Sequence, residues 1–226
     1  YSYSIPNSLK KITITGGTRI PSCAFDGFSK VTSIVLPEGI TSIGDYAFRN
    51  CASLTSNPMP STVKVIGNHA YNGCKSLKTF TVPSSVETIG SYAFANCTGF
   101  TSITVPKTIK TLGDYAFSDC TSLKSAVIKP VGSIGDYVFD RCTALEELTM
   151  PYAGTSLESV NKADSSMRVR NNLFVNSVKD KTYSDGNGYH IPNSLKKITI
   201  TGGTRIPSSA FYGFSKVTEI VLPESI

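Results

Sequence analysis

Histidine is almost missing from this chain: among 226 residues only His69 and His190 carry an imidazole. That scarcity severely limits general acid-base catalysis and the activation of a nucleophile by a neighbouring base. No apolar run approaches the roughly 20 residues that a membrane-crossing helix needs, and no charged-then-apolar leader stands at the start. Any export signal or anchor is therefore expected outside these residues. A dense basic block is missing too. The 22 basic and 16 acidic residues leave a net charge of +6 that is spread out and diluted by serine and threonine, which gives little support to nucleic acid as a partner. No phosphate-binding glycine loop, paired-carboxylate signature or Ser-His-Asp ordering can be found. The expectation is a protein without catalytic residues, metal site or cofactor.

What the chain does have is a period. Ile43-Gly44-Asp45-Tyr46-Ala47-Phe48 returns as Ile66-Gly67-Asn68-His69-Ala70-Tyr71, then from Ile89, Leu112 and Ile134, at steps of 23, 23, 23 and 22 residues. Self-similarity at such a spacing marks a solenoid, whose units touch only their neighbours. Divergent copies begin at Ile20 and Ile206. A second level of repetition lies above the first. Residues 5–40 and 191–226 align at an offset of 186 and differ only at Cys23/Ser209, Asp26/Tyr212, Ser33/Glu219 and Gly39/Ser225. A unit of several coils has thus been duplicated, and the sequence reads as part of a longer array.

Within a unit, Ile103-Thr104-Val105 alternates apolar and polar residues, the period-2 signal of a strand with one buried face. Proline follows at a fixed register, at Pro37, Pro60, Pro83, Pro106, Pro151 and Pro223. Lacking an N–H, it ends the strand. The Ile-Gly pair then supports a bend, and the Asp-Tyr-Ala-Phe run is long enough only for a helical or 3₁₀ turn. Stacked coils of this kind predict an α/β solenoid, mostly β and irregular by content, with a parallel sheet on one side and the Ala-Phe elements on the other. Residues 1–226 read as a single domain, with regular coils over about 5–151 and 191–226. Residues 152–190 break the rhythm and predict one elongated coil, with Phe174 in the Ala-Phe register and an exposed loop over about 179–188.

The run Leu-x-x-Ile-x-Val-Pro followed by Ile-Gly-x-x-Ala-Phe-x-x-Cys resembles the leucine-rich repeats of the BspA type, found in surface proteins of host-associated bacteria. The resemblance implies a curved, right-handed leucine-rich superhelix with its parallel sheet on the concave face and short helical or 3₁₀ turns on the convex side. The pattern departs at Asn57-Pro58-Met59, where a polar residue and a proline fall in the strand, and at Lys129-Pro130, where one residue is missing. Both coils are expected to pair poorly.

Several registers invite a chemical reading. Cys51, Cys74, Cys97, Cys120 and Cys142 fall at steps of 23, 23, 23 and 22, but Phe28 and Phe214 hold the same register. A position that accepts phenylalanine is a core position, so these are read as buried free thiols spread along a line rather than converging on a metal. Cys23 lies in another register, and its duplicate is Ser209. His69 stands where other coils have Tyr46, Tyr92, Tyr115 and Tyr137, which predicts a ring in a half-buried aromatic row. Asp45, Asp114 and Asp136 share a register that Asn68 and Ser91 interrupt, so they are read as turn residues rather than a calcium site.

The outward side of the predicted sheet carries Ser33 and Val35, Thr79 and Thr81, Ser102 and Thr104, Ser125 and Val127, and Glu147 and Thr149, with Ser56 and Pro58 in the irregular coil. Small hydroxyls dominate. These residues form the candidate binding face, and the expected function is a non-catalytic, adhesin-like module of a secreted or cell-surface protein. By the resemblance its ligand would be a protein or glycoprotein, such as fibronectin or fibrinogen of the host matrix. A structural spacer holding another domain away from the cell is the alternative reading.

Overall fold

The computed structural model describes residues 6–55, 59–78, 80–151, 191–203, 205–206 and 210–226. The chain winds as a parallel-strand solenoid of about seven turns, and each coil has three sides.

The first side carries the longer strands: β1 (Lys11–Thr13), β3 (Ser33–Val35), β7 (Ser102–Val105), β9 (Ser125–Ile128), β11 (Glu147–Met150), β12 (Lys197–Ile200) and β13 (Glu219–Val221). They alternate as the sequence does, with Ser102 and Thr104 exposed while Ile103 and Val105 are buried. After each strand the proline starts a turn, closed where Ile109 donates its N–H to Pro106 at 3.3 Å. The second side holds two-residue strands: β2 (Arg19–Ile20), β4 (Ser42–Ile43), β5 (Val65–Ile66), β6 (Thr88–Ile89), β8 (Thr111–Leu112) and β10 (Ser133–Ile134). These stack as one parallel sheet in chain order. At the glycine that follows, the coils come into close approach. A Cβ on Gly90 would lie 2.7 Å from both the amide nitrogen of Asn68 and the carbonyl carbon of Gly67, so no other residue fits without displacing backbone.

The third side differs from the helical or 3₁₀ turn expected on the convex side. Among the described residues no helix of either kind is found there. Successive turns run through it, with alternating hydrogen bonds. Tyr46, Phe48 and Asn50 donate forward to the carbonyls of Asn68, Ala70 and Asn72 in the next coil, while Ala47, Arg49 and Cys51 donate back within their own turn. A helix sends every N–H back along its own axis; here every second one is spent on the neighbouring coil. The alternation places Tyr46 and Asn50 at φ 59°, and Tyr92, Asn96, Tyr115, Asp119, Tyr137 and Arg141 repeat it. Non-glycine residues take the left-handed region rarely, and at Tyr46, Asn50, Tyr92, Asn96, Tyr115 and Asp119 the inter-coil bonds hold them there.

The core runs down the inside of the described coils. The Ala-Phe element supplies a stack from Phe25 through Phe48, Tyr71, Phe94 and Phe117 to Phe139, with ring centroids 5.0 to 5.8 Å apart. The five in-register cysteines are buried, and each thiol donates to a carbonyl one coil back, as Cys97 does to Tyr71 at 3.2 Å.

The long-strand side is split. β1 pairs with β3, and β7, β9, β11, β12 and β13 form a second sheet. Among the described residues no strand occurs between Val35 and Ser102 on this side. Asn57 and Pro58 lie outside the described residues; Met59, beside them, is in no strand. The coil ending in Lys129-Pro130 corrects the other expectation, because β9 pairs in full register with both β7 and β11. The missing residue falls in the turn after Ile128, so the strand keeps its register. β12 pairs directly with β11, which carries the sheet across the irregular segment, and the expected places of Phe174 and of the 179–188 loop lie outside the described residues.

Candidate binding face

Parallel pairing converts the alternating sequence into two outward rows. Ser102, Ser125, Glu147, Lys197 and Glu219 stand in one register, and Thr104, Val127, Thr149, Thr199 and Val221 in the next. Lys11 with Ser33 and Thr13 with Val35 begin the same rows on the smaller sheet. The structure thus brings Ser102, Thr104, Ser125, Val127, Glu147 and Thr149 together on one surface. It sets Ser33 and Val35 on a separate two-stranded piece. Thr81 is exposed but in no strand, and Thr79, Ser56 and Pro58 lie outside the described residues.

Lys11, Thr13, Lys197, Thr199 and Glu219 belong to this face and were not among the residues expected there. The signal that points to them is the internal duplication, since Ser33 and Glu219 are one of the four differences between its copies. Lys197 donates to Glu219 at 2.7 Å, and this hydrogen bond, more than its charge interactions with Glu219 and Glu147, raises the lysine pKa. Lys124 and Glu146 lie 3.6 Å apart on the adjoining rim. Around them is a shallow, polar depression lined by Glu146, Glu147, Ser194, Lys196, Lys197, Thr218 and Glu219.

The other registers pack against their copies in neighbouring coils. Tyr46, His69, Tyr92 and Tyr115 stack face to face at 4.6 to 4.7 Å, and Tyr137 continues the row at 5.0 Å. Their faces are thereby covered by one another. Arg49 closes one end, with Cζ 4.7 Å from the centre of the Tyr46 ring, and is itself held by Asp26. Cys23 begins this row, at φ 58° and donating its N–H to Asp45. Burial, then the Arg49 charge, lowers the His69 pKa against the opposing pull of Asp45. Burial, then the neighbouring tyrosines, pushes the Tyr115 hydroxyl up to about 12. Tyr115 therefore stays protonated near neutral pH, and His69 stays uncharged there between the rings of Tyr46 and Tyr92.

The Asp register also has a structural use. The Oδ1 atoms of Asp45 and Asn68 accept the N–H groups of Asn68 and Ser91 at 2.7 and 2.8 Å, and Asp114 accepts that of Asp136 at 2.8 Å. Burial raises the Cys51 thiol to about 12, far from a reactive thiolate. Among the described residues no cluster of His, Cys, Asp and Glu is arranged to hold a metal ion, and no helix is long and apolar enough to cross a membrane.

Comparison with known proteins agrees with this architecture. The profile described as "BspA type Leucine rich repeat region" matches in 6 copies, over residues 1–124, 64–181 and 186–226. A leucine-rich repeat protein from Bacteroides ovatus superposes with a TM-score of 0.63 at 25% identity, over 99% of this chain and 71% of its own. The leucine-rich repeat protein of T. pallidum gives 0.58 at 28% identity, over 62% of this chain and 69% of its own. The pneumococcal vaccine antigen PcpA shares the fold at 0.51 and 24% identity, over 96% of this chain and 51% of its own. A search of curated proteins gives no match.

Proposed function

Because this chain belongs to the BspA-type leucine-rich repeat family, we propose that it is a non-catalytic, adhesin-like binding module of a secreted or cell-surface bacterial protein, taking a protein or glycoprotein ligand on its long-strand side. The observation that supports this most is the pair of outward rows, in which small polar side chains recur in fixed register from Ser102 to Thr199. Adjacent strands lie about 4.8 Å apart, so the rows form an extended array with no catalytic constellation. Solenoids use such surfaces to bind. Affinity is then shared among coils, since no single outward residue resembles an aromatic or arginine hot spot.

Two variants test the reading against fibronectin and fibrinogen as first probes. Changing Ser102, Thr104, Ser125 and Val127 together to Glu adds bulk and like charge across two neighbouring coils and weakens binding clearly. Deleting residues 179–188 leaves it nearly intact. If the deletion abolishes binding and the four-residue change does not, the irregular segment is the recognition loop and the strand-side reading fails. The spacer reading is favoured by a different observation, the core and the inter-coil hydrogen bonds that successive described coils share. It stands if neither variant alters binding while shortening the array by whole coils impairs the parent protein.

A further inference from the structure

We infer that the long-strand side between Lys10 and Ser125 engages an acidic polysaccharide, an assignment that rests on this side being the binding face. The sign of its charge is the first reason. Along the outward rows and the rim leading into them, the charged residues described are Lys10, Lys11, Lys78 and Lys124, all exposed or on exposed positions, and the first carboxylate is Glu146. Lys10, Lys11 and Lys78 make no ion pair among the described residues, whereas Lys197, the duplicate of Lys11, is paired with Glu219. The trailing rim adds Lys107 and Lys129 against Glu38. With coils about 4.8 Å apart, Lys78 stands three coils or about 14 Å beyond Lys10, and Lys124 about 10 Å further. From Lys124 onward, where Glu146 lies 3.6 Å away, the charges alternate and neutralise one another, which bounds the basic stretch.

The groups between the lysines supply the second reason. Ser33, Thr81, Ser102 and Thr104 present hydroxyls, and among the described residues of these rows the apolar outward side chains are Val35 and Val127. A polypeptide ligand draws its affinity from aromatic and aliphatic anchors seated in pockets, and single-stranded nucleic acid from bases stacked on exposed rings. Among the described residues this side offers neither, so of a glycoprotein ligand it is the acidic sugars that it engages, and the aromatic row is on another side with its rings stacked on one another. A chain of sugars bearing sulfate or carboxylate needs only spaced cations and hydroxyl partners.

The test uses the full 226-residue chain, titrated with dextran sulfate and, separately, with uncharged dextran. Binding is expected to the sulfated polymer only, weakening at least about tenfold between 50 and 300 mM NaCl as screening shortens the reach of the lysines. Changing Lys10, Lys11 and Lys78 together to Ser should weaken it at least about tenfold as well. The same change at Lys64, Lys75 and Lys110, which removes equal charge from the other sides, should cost under about threefold. No binding to dextran sulfate, or equal losses in the two triple variants, overturns the inference. So does equally tight binding of poly-L-glutamate, which selects an acidic peptide, or of poly(U), which selects RNA. Fibronectin or fibrinogen binding that responds to the four-residue Glu variant, without any response to dextran sulfate, overturns the polysaccharide alone. Dextran sulfate binding that is lost only in the Lys64, Lys75 and Lys110 variant overturns the strand-side reading with it.

Discussion

Phe94→Ala strikes the core stack at its centre. The ring is fully buried, lies parallel to Tyr71 and Phe117 at 5.4 Å on either side, and meets Phe80 and Phe100 at 4.7 and 6.1 Å. Truncating a buried phenylalanine costs about 3–5 kcal/mol, the larger values where the site cannot collapse. Collapse is blocked here, because Phe94 donates to Ala116 at 2.8 Å and Tyr71 to Ala93 at 2.7 Å, so the coil spacing is held from both sides. Two lost stacks, each worth about 0.5–1.5 kcal/mol beyond burial, favour the upper half of the range. Against a typical total of 5–15 kcal/mol, such a loss is a large fraction. Urea unfolding followed by circular dichroism measures it. Since each coil contacts only its neighbours, the transition should also broaden as the two halves of the array uncouple. A loss below about 1 kcal/mol with an unchanged slope would refute the argument, because it would place the ring outside the core.

Gly90→Ala should cost about 1–3 kcal/mol by urea denaturation, since its Cβ meets backbone that the Gly90 to Ile66 hydrogen bond of 2.8 Å holds in place; a neutral result would show that the coils can part there. The lowered His69 pKa sets a sign: the folded protein disfavours the imidazolium, so stability is full above the ordinary histidine value near 6.5 and declines as pH falls from there through the depressed folded value. Melting temperatures at pH 8 and pH 5 should therefore fall further for the wild type than for His69→Tyr, and equal falls would remove His69 as the cause. At pH 8 a thiol reagent should modify Cys23 alone in the native protein and all six cysteines after unfolding, whereas a count of four or fewer on unfolding would mean disulfides.

The 23-residue step made the solenoid legible because everything that joins one coil to the next depends on it. Strand partners, the cysteine thiols and the phenylalanine rings all meet neighbours one period away. The turn side was less legible, since Gly-Asp-Tyr-Ala-Phe suits a helical turn locally, and only the neighbouring coil diverts alternate N–H groups and holds Tyr46 and Asn50 at positive φ. Cys23 stands 23 residues before Tyr46, so the period already sets it at the head of the tyrosine row, and its hydrogen bond to Asp45 repeats that of Tyr46 to Asn68. The coil of Lys129-Pro130 pairs well because a deletion in a turn leaves strand register untouched. On the candidate face alternation alone sets Ser102, Thr104, Ser125 and Thr149 on the outward side, and strand pairing puts them in two common rows. Lys197 and Glu219 were missed because outward residues were read only from the coils before Pro151, although the regular coils resume at 191 and the Ser33/Glu219 difference already marked the place.

The three sides of one coil permit the most direct test of the central claim, that ligand is bound on the long strands. A photo-crosslinking side chain is placed singly at Thr104 on the long strand, at Thr111 on the short strand and at Tyr115 on the turn side, and each variant is irradiated with whichever of fibronectin, fibrinogen and dextran sulfate it binds. Attachment from Thr104 alone is the predicted result. Attachment from Thr111 or Tyr115 with none from Thr104 would contradict the account.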